Sequence, residues 1–127
     1  MASFGTKSRR CRDECEPALQ CVLDKAIHGY DFSCIWGHRG EWDQTKAYLE
    51  GHSKVEWPNS NHNKVPSRAF DVIPYPAGFE ASDEEFYLLA THILSAAAEL
   101  GVPLKWGGHW NTFKDLAHFE LMEDPHG

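Results

Sequence analysis

The segment that most restricts the fold is a long amphipathic stretch over residues 82–100. Ser82 stands three residues before Glu85, which is the pattern of a helix-capping box. Gly101 supplies the matching stop signal at the other end. The apolar residues at helical spacing between these signals are Phe86, Leu89, Ile93, Ala97 and Leu100. We therefore predict a scaffold helix over residues 82–100, with one apolar face turned to the core.

Other segments predict two further helices and a small sheet. A helix is expected over residues 17–29, with Pro17 in its first turn, and another over residues 41–50, closed by Gly51. The predicted strands cover residues 31–36, 69–73, 104–106 and 118–121. Residues 52–68 are rich in Asn, Ser, Lys and Pro and predict a long loop. This set predicts an α+β fold, with helices packed on a small antiparallel sheet.

Length and charge narrow the class of protein. With 127 residues, 42% hydrophobic content and five tryptophans, we expect a single folded domain over residues 1–127. The net charge of −7 argues against a nucleic-acid partner, because binding phosphates requires an excess of Lys and Arg. The basic cluster at residues 7–10 is expected to be solvated, in a loosely packed N-terminal segment over residues 1–14.

Neither a membrane span nor a secretory signal is evident in the sequence. No apolar run approaches the roughly 20 residues that a membrane helix needs. The first residues lack the apolar stretch of a signal peptide. We therefore expect a soluble product of the cytoplasm that does not insert into membranes.

The four cysteines, at positions 11, 15, 21 and 34, favour thiols over disulfides. Cys11 and Cys15 are spaced like half of a zinc knuckle, but no second close pair follows. Cys21 and Cys34 stand in apolar surroundings, so both are expected in the core.

Two histidines and two aspartates form the constellation that suggests chemistry. His62, Asp71 and His118 can supply three ligands to a catalytic zinc ion, whose fourth position is left for water. Asp115 stands three residues before His118, so a bend can aim both at one point. A carboxylate there can take a proton from the attacking water.

Each of these residues also has an ordinary structural interpretation. Eight histidines in 127 residues make chance pairs common, and a histidine beside an aromatic residue is often a hydrogen-bonded core residue. His92 lies off the apolar stripe of its helix and is expected to be a surface or packing residue. Arg39 is either a turn cation or a guanidinium that stabilises an oxyanion or holds a carboxylate. The glycines at 107 and 108 either shape a turn between packed indoles or let a substrate backbone pass close by.

A set of motifs in a fixed order resembles one family of enzymes. The motifs are Gly37-His38-Arg39, Gln44, Gly51, Ser60-x-His62, Pro66-Ser67-Arg68-Ala69-x-Asp71, Trp106-Gly107-Gly108 and Asp115-x-x-His118-Phe119-Glu120. They resemble the zinc peptidases that cut bacterial cell-wall peptides. These are the VanY-like D-alanyl-D-alanine carboxypeptidases and the phage endolysins that act as L-alanyl-D-glutamate peptidases, with a fold shared by hedgehog domains. The similarity runs from about the first predicted helix to His118.

The resemblance implies a role for each site residue. By this similarity, His62, Asp71 and His118 hold one Zn²⁺ and Asp115 is the general base. Arg39 would act in catalysis, and Ser60 would bind substrate or stabilise the transition state. A further substrate contact is expected from Trp106. His109 either contacts substrate, provides a second ionisable group near the metal or packs as a structural residue. The chain departs from the commoner family pattern in two ways: two residues are inserted before Asp71, and His109 replaces an acidic residue.

The phage-type Pro66-Ser67-Arg68-Ala69 segment favours an endolysin that cuts the L-Ala–D-Glu bond of the peptidoglycan stem peptide. A D-alanyl-D-alanine carboxypeptidase is the alternative on the same scaffold. A non-catalytic zinc-binding module is a third, although Asp115 and Arg39 speak against it because such a module needs no base. The endolysin interpretation implies a monomer that accumulates in the host cytoplasm. A separate membrane-permeabilising protein would then release it to the cell wall.

Overall fold

The computed structural model describes residues 4–110 and 114–123, which form four helices and one four-stranded sheet. The helices are α1 (Thr6–Asp13), α2 (Pro17–Ala26), α3 (Glu41–Leu49) and α4 (Asp83–Leu100). The strands are β1 (Phe32–Trp36), β2 (Ala69–Pro74), β3 (Leu104–Trp106) and β4 (His118–Leu121). Short 3-10 turns lie at Asn61–Asn63, Gly78–Glu80 and Gly107–His109. The architecture is α+β, as predicted.

The strands run in the order β1-β2-β4-β3, and each neighbouring pair is antiparallel. Since successive side chains of a strand point to opposite faces, the sheet has two different surfaces. Phe70 and Phe119 pair across β2 and β4 and stack on the apolar face. The next pair, Asp71 and His118, therefore lies on the opposite, polar face. One pairing thus produces both a core and a site.

Helix α4 covers the apolar face and packs against α2, β2 and β3. Its start is fixed by the Ser82 hydroxyl, which accepts a hydrogen bond from the Glu85 amide at 3.2 Å. Its end is fixed by Gly101, whose φ of 71° is left-handed and suits glycine. Leu89 and Ile93 are fully buried on the inner face of the helix. The sequence signals at both ends of this helix are confirmed.

The remaining predicted elements are present, with small shifts at their ends. Helix α2 ends at Ala26 rather than at residue 29, because the chain turns through Ile27. Strand β2 continues through Pro74, which pairs with Phe32. The loop over residues 52–68 contains a 3-10 turn that the sequence analysis did not predict. Within the described ranges, none of the helices is long and apolar enough to cross a membrane.

The structure corrects the expected loose packing of residues 1–14, of which residues 1–3 lie outside the described part. Helix α1 packs against β1 and α2. Cys11 is buried in the core, and the Ser8 hydroxyl accepts a hydrogen bond from the Cys34 amide at 3.1 Å. The basic residues lie on the outer side of α1, while Ser8 and Cys11 are buried on its inner side. The charge of the segment alone therefore suggested loose packing.

The four cysteines are free thiols, and Cys34 is buried as expected. Cys21 is exposed, so its predicted place in the core is wrong. It lies on α2 outside the stripe formed by Leu19, Val22 and Leu23, and the apolar neighbours in sequence therefore point elsewhere. His92 is also exposed and packs its ring against Tyr30 at 5.4 Å, as a packing histidine would.

Two neighbouring leucines on α4 test the packing of this helix. Leu89 is 1% exposed and Leu88 is 49% exposed. We expect Leu89→Ala to lower the free energy of unfolding by about 2–5 kcal/mol, because it leaves a cavity in the core. The matched Leu88→Ala change should cost less than about 1 kcal/mol. Urea unfolding of both variants measures the difference, and equal losses would contradict the packing described for α4.

Candidate metal centre

The first two predicted ligands face each other across the sheet. Asp71 of β2 and His118 of β4 are register partners, and both are at least nine-tenths buried. Facing residues in an antiparallel pair bring their side chains close together. Both side chains belong to the polar face, because their neighbours Phe70 and Phe119 occupy the other one. The strand pairing alone thus aims a carboxylate and an imidazole at one point.

The third predicted ligand, His62, comes from the 3-10 turn Asn61–Asn63. The Ser60 hydroxyl accepts a hydrogen bond from the His62 amide at 3.2 Å, and the Asn63 side chain accepts one from the Ser60 amide at 3.0 Å. This reciprocal cap is the local reason why the loop is ordered here. His62 is 2% exposed, so the turn inserts it beneath the surface.

The three predicted ligands converge through one atom each. His62 Nε2 lies 3.2 Å from Asp71 Oδ1 and 3.2 Å from His118 Nδ1. The distance between His118 Nδ1 and Asp71 Oδ1 is 3.0 Å. Zinc binds nitrogen and oxygen ligands at about 2.0–2.2 Å, so tetrahedral ligands lie about 3.3 Å apart. The triangle therefore has the size and donor set of a metal site.

Hydrogen bonds at the far side of each imidazole determine which nitrogen faces this point. His62 Nδ1 lies 2.8 Å from the carbonyl oxygen of Gly37, which can only accept. His118 Nε2 lies 2.7 Å from Glu120 Oε1. Both nitrogens therefore donate outward, which leaves His62 Nε2 and His118 Nδ1 facing Asp71 as the atoms that can bind a metal. Metal-binding histidines are typically held in this way.

The cluster has an excess of negative charge. Burial alone lowers the pKa of His118, but the hydrogen bonds and charges of Asp71 and Glu120 outweigh it and raise that pKa to about 10. Burial likewise opposes ionisation of Asp71, but interactions with His62 and His118 hold its pKa well below the ordinary value. A site with this balance favours a cation, whether a proton on His118 or a metal ion.

Arg39 lies against the other oxygen of Asp71. Its Nη2 is 3.3 Å from Asp71 Oδ2, its Nη1 is 3.2 Å from Gln44 Oε1, and its guanidinium stacks on Trp36 at 4.8 Å. The Arg39 Nε atom is buried and has no hydrogen-bond partner among the described residues. Arg39 thus orients Asp71, and its Nε–H is left without a partner in the described part of the chain. Its interpretation as a simple turn cation does not fit this buried position.

Asp115 enters the site from the turn before β4. Its backbone is fixed by bonds with the Gly107 carbonyl and the His118 amide, at 3.1 Å and 3.3 Å. Its Oδ1 accepts a bond from the Ala117 amide at 3.2 Å. Burial, followed by the negative charge of Asp71, raises the pKa of Asp115 above its ordinary value. A carboxylate with a raised pKa is a better proton acceptor, which suits the predicted base.

The turn Trp106-Gly107-Gly108 packs closely against Asp115. A Cβ on Gly107 would lie 2.3 Å from the Asp115 carbonyl oxygen, and one on Gly108 would lie 2.3 Å from the Trp106 ring. The space beside both glycines is therefore filled by the protein's own chain. This close packing accounts for both glycines, so close passage of a substrate backbone is not needed to explain them.

Trp106 and His109, both candidates for contact with substrate, lie outside the cleft around the ligands. Trp106 is 8% exposed and stacks on Phe119, and its indole donates to the Leu116 carbonyl oxygen at 2.9 Å. The exposed His109 ring packs on the Trp106 edge at 4.9 Å. Ser60, by contrast, lines the cleft.

Two cavities meet at the site. One, of about 160 Å³, contains His62 and His118 and is called the ligand cavity. The other, of about 510 Å³, runs along α3 past Trp36 and Lys46 and is called the α3 groove. Residues common to both linings are Arg39, His52, Asp71 and Asp115. The predicted base and arginine thus stand where the two cavities join.

Three further residues line the ligand cavity without a role predicted from the sequence. They are Asn61, Trp110 and Glu120. For Glu120 a signal existed, because it stands two residues after His118 and a strand places both on one face. For Trp110 the sequence gives no comparable signal, since it follows an irregular turn.

Three comparisons with known proteins agree with this geometry. The family model of the phage L-alanyl-D-glutamate peptidase matches residues 1–126. The chain is 29% identical over 122 residues to the L-alanyl-D-glutamate peptidase of Escherichia phage T5, covering 93% of this chain and 88% of that protein. It matches the crystal structure of the Serratia marcescens L-Ala D-Glu endopeptidase ChiX with a TM-score of 0.80 and 30% identity, covering 94% of this chain and 89% of that one. The chain therefore belongs to the phage L-alanyl-D-glutamate peptidase family.

Proposed function

We propose that the chain is a zinc-dependent peptidase that hydrolyses the L-Ala–D-Glu bond of the peptidoglycan stem peptide. The observation that carries this proposal is the convergence of His62 Nε2, Asp71 Oδ1 and His118 Nδ1 within 3.2 Å, in a chain of this family. Two imidazoles and one carboxylate are a ligand set typical of catalytic zinc, which keeps a position for water. When bound, zinc supplies Lewis acidity that acidifies water and polarises a carbonyl.

Asp115 is proposed as the general base and acid. Its carboxyl stands at the junction of the two cavities, where a peptide bond would meet the ligand cluster. It would take a proton from the attacking water and later give that proton to the leaving amine of D-Glu. Because Ala117 holds Oδ1 through its amide, we assign the proton transfer to Oδ2.

Arg39 and Ser60 are proposed to hold the substrate. Arg39 lines both cavities, so its guanidinium can bind the oxygen that gains charge in the transition state, or a substrate carboxylate. The Ser60 oxygen accepts the His62 amide, and its hydroxyl hydrogen can be donated to a substrate carbonyl. A substrate contact by His109 would have to come from outside the cleft, and Trp106 would act by supporting the turn.

The shape of the cleft favours an endopeptidase over a carboxypeptidase. A carboxypeptidase needs space for one terminal residue beyond the bond that it cuts, whereas an endopeptidase must accommodate chain on both sides. Here the ligand cavity and the α3 groove extend in two directions from Asp71 and Asp115. The larger α3 groove has room for several residues of a stem peptide, since its volume is about 510 Å³.

The expected biology follows from the resemblance alone. We propose that the protein acts as a monomer, accumulates in the host cytoplasm and reaches the cell wall with the help of a membrane-permeabilising protein. A fusion to a fluorescent protein would report this location before and after lysis. An envelope location before lysis would argue against it.

Mass spectrometry of fragments released from purified Gram-negative peptidoglycan tests the reaction. We expect peptides that begin at D-Glu, which disappear with a zinc chelator and return when zinc is restored. Loss of D-Ala alone would select the carboxypeptidase instead. Zinc binding without any released product would select the non-catalytic module, and release that survives complete removal of the metal would contradict metal dependence.

Replacing the base should separate catalysis from metal binding. We expect Asp115→Asn to lower the rate of peptide release by about 10²–10⁴-fold, because the amide cannot accept the proton. Zinc content should stay at one ion per chain, since Asp115 is not among the converging ligands. The exposed Asp83 provides a matched control, and Asp83→Asn should cleave at the wild-type rate. Near-normal turnover by Asp115→Asn would show that the base is another group.

A further inference from the structure

We infer that Glu120 is a positioning residue of the metal site, whose two carboxylate oxygens hold the ligand His118 and the turn that carries the ligand His62. The inference rests on the proposed function in one respect, the identity of the metal ligands. It assigns Glu120 no contact with the metal or the substrate. If Glu120 has this role, the affinity for the metal depends on it, and not only the catalytic activity.

The strand places Glu120 where it can act in this way. Residues two apart on a strand share a face, so Glu120 lies on the polar face beside His118. Its register partners are Ala69 of β2 and Lys105 of β3. Ala69 has a small side chain, and Lys105 places a positive charge on the same row. The Glu120 side chain is 18% exposed and is therefore largely shielded from solvent.

The first oxygen sets the orientation of His118. Glu120 Oε1 accepts a hydrogen bond from His118 Nε2 at 2.7 Å, a short charge-assisted contact. A neutral imidazole carries only one N–H, so this bond leaves the lone pair on Nδ1. That atom lies 3.0 Å from Asp71 Oδ1 and 3.2 Å from His62 Nε2. Without Glu120 the proton could move to Nδ1, or the ring could turn, and the ligand atom would be lost.

The second oxygen reaches the opposite side of the site. Glu120 Oε2 accepts a hydrogen bond from Asn61 Nδ2 at 2.9 Å. Asn61 stands directly before His62, and its carbonyl oxygen accepts a bond from the Arg68 amide at 3.0 Å. One carboxylate therefore connects β4 with the 3-10 turn Asn61–Asn63. The positions of two ligands that are 56 residues apart in sequence become linked through it.

Each ligand has an outer partner, and Glu120 is the charged one for the histidines. His62 is held by the neutral carbonyl of Gly37, and Asp71 is held by Arg39. Outer carboxylates of this kind orient a ligating imidazole and increase its basicity, and their loss typically weakens metal binding by about 10–100-fold. Replacing Glu120 should therefore weaken metal binding, although Glu120 is not itself a ligand.

Metal titration of purified variants tests the inference. We expect Glu120→Ala to weaken zinc affinity by about 10–100-fold in competition with a chromophoric chelator. Glu120→Gln should lose less, because its amide oxygen can still accept from His118. The matched control is Glu123→Gln, which removes the same charge at an exposed position nearby and should bind zinc like the wild type.

The spectrum of the cobalt-substituted protein distinguishes positioning from general loosening of the fold. At saturating Co²⁺ we expect the visible absorption bands of Glu120→Ala to shift, because the coordination of His118 changes. Asn61→Ala, which keeps the bond to His118, should bind zinc only a few-fold more weakly and keep the wild-type spectrum. Thermal unfolding of the metal-free proteins measures any loss of stability separately.

Two outcomes would overturn the inference. One is zinc affinity of Glu120→Ala within twofold of the wild type. The other is weaker zinc binding by Glu120→Ala with the cobalt spectrum of the wild type, together with a loss of metal-free stability large enough to account for the weaker binding. Failure of the wild-type protein to bind zinc would instead overturn the proposed function, so the two failures can be told apart.

Discussion

The antiparallel pairing of β2 with β4 is the contact on which the rest of the site depends. It sets Asp71 opposite His118 on one face of the sheet and Phe70 opposite Phe119 on the other. A shift of one residue would exchange the two faces, burying the polar pair against α4 and exposing the aromatic pair. The hydrophobic core under α4 therefore fixes the register that brings the predicted ligands Asp71 and His118 together. Stability and chemistry are linked through the same hydrogen bonds.

Electrostatics explains why the ligand cluster requires so many outer partners. A buried carboxylate and two lone pairs within 3.2 Å of each other repel unless a cation lies between them. Arg39 and Glu120 lie on two sides of this group and carry opposite charges. Burial lowers the pKa of His118, but Asp71 and Glu120 outweigh burial and raise that pKa to about 10. Burial and, to a smaller extent, the negative charge of Asp71 raise the pKa of Asp115. The site thus prepares both a cation position and a proton acceptor.

Much of the architecture was predictable because its signals are local. The Ser82 cap and the spacing of apolar residues predicted α4, and the motif order indicated His62, Asp71 and His118, which the structure brings together. Helix α1 was not predictable, since its sequence is mostly charged and only its contacts with β1 and α2 bury one side. The positions of Trp106 and His109 depend on how Gly107 lies against Asp115, which no spacing rule gives. The link between Asn61 and Glu120 joins residues 59 positions apart and needs the folded sheet.

Anomalous X-ray diffraction from zinc-loaded crystals at the zinc absorption edge tests the central claim most directly. The account predicts one strong peak per chain, bound by His62 Nε2, Asp71 Oδ1 and His118 Nδ1 at about 2.0–2.2 Å. Data collected below the edge, where the peak should vanish, identify the metal as zinc. A peak at another group of residues, or coordination of His118 through Nε2, would contradict the account.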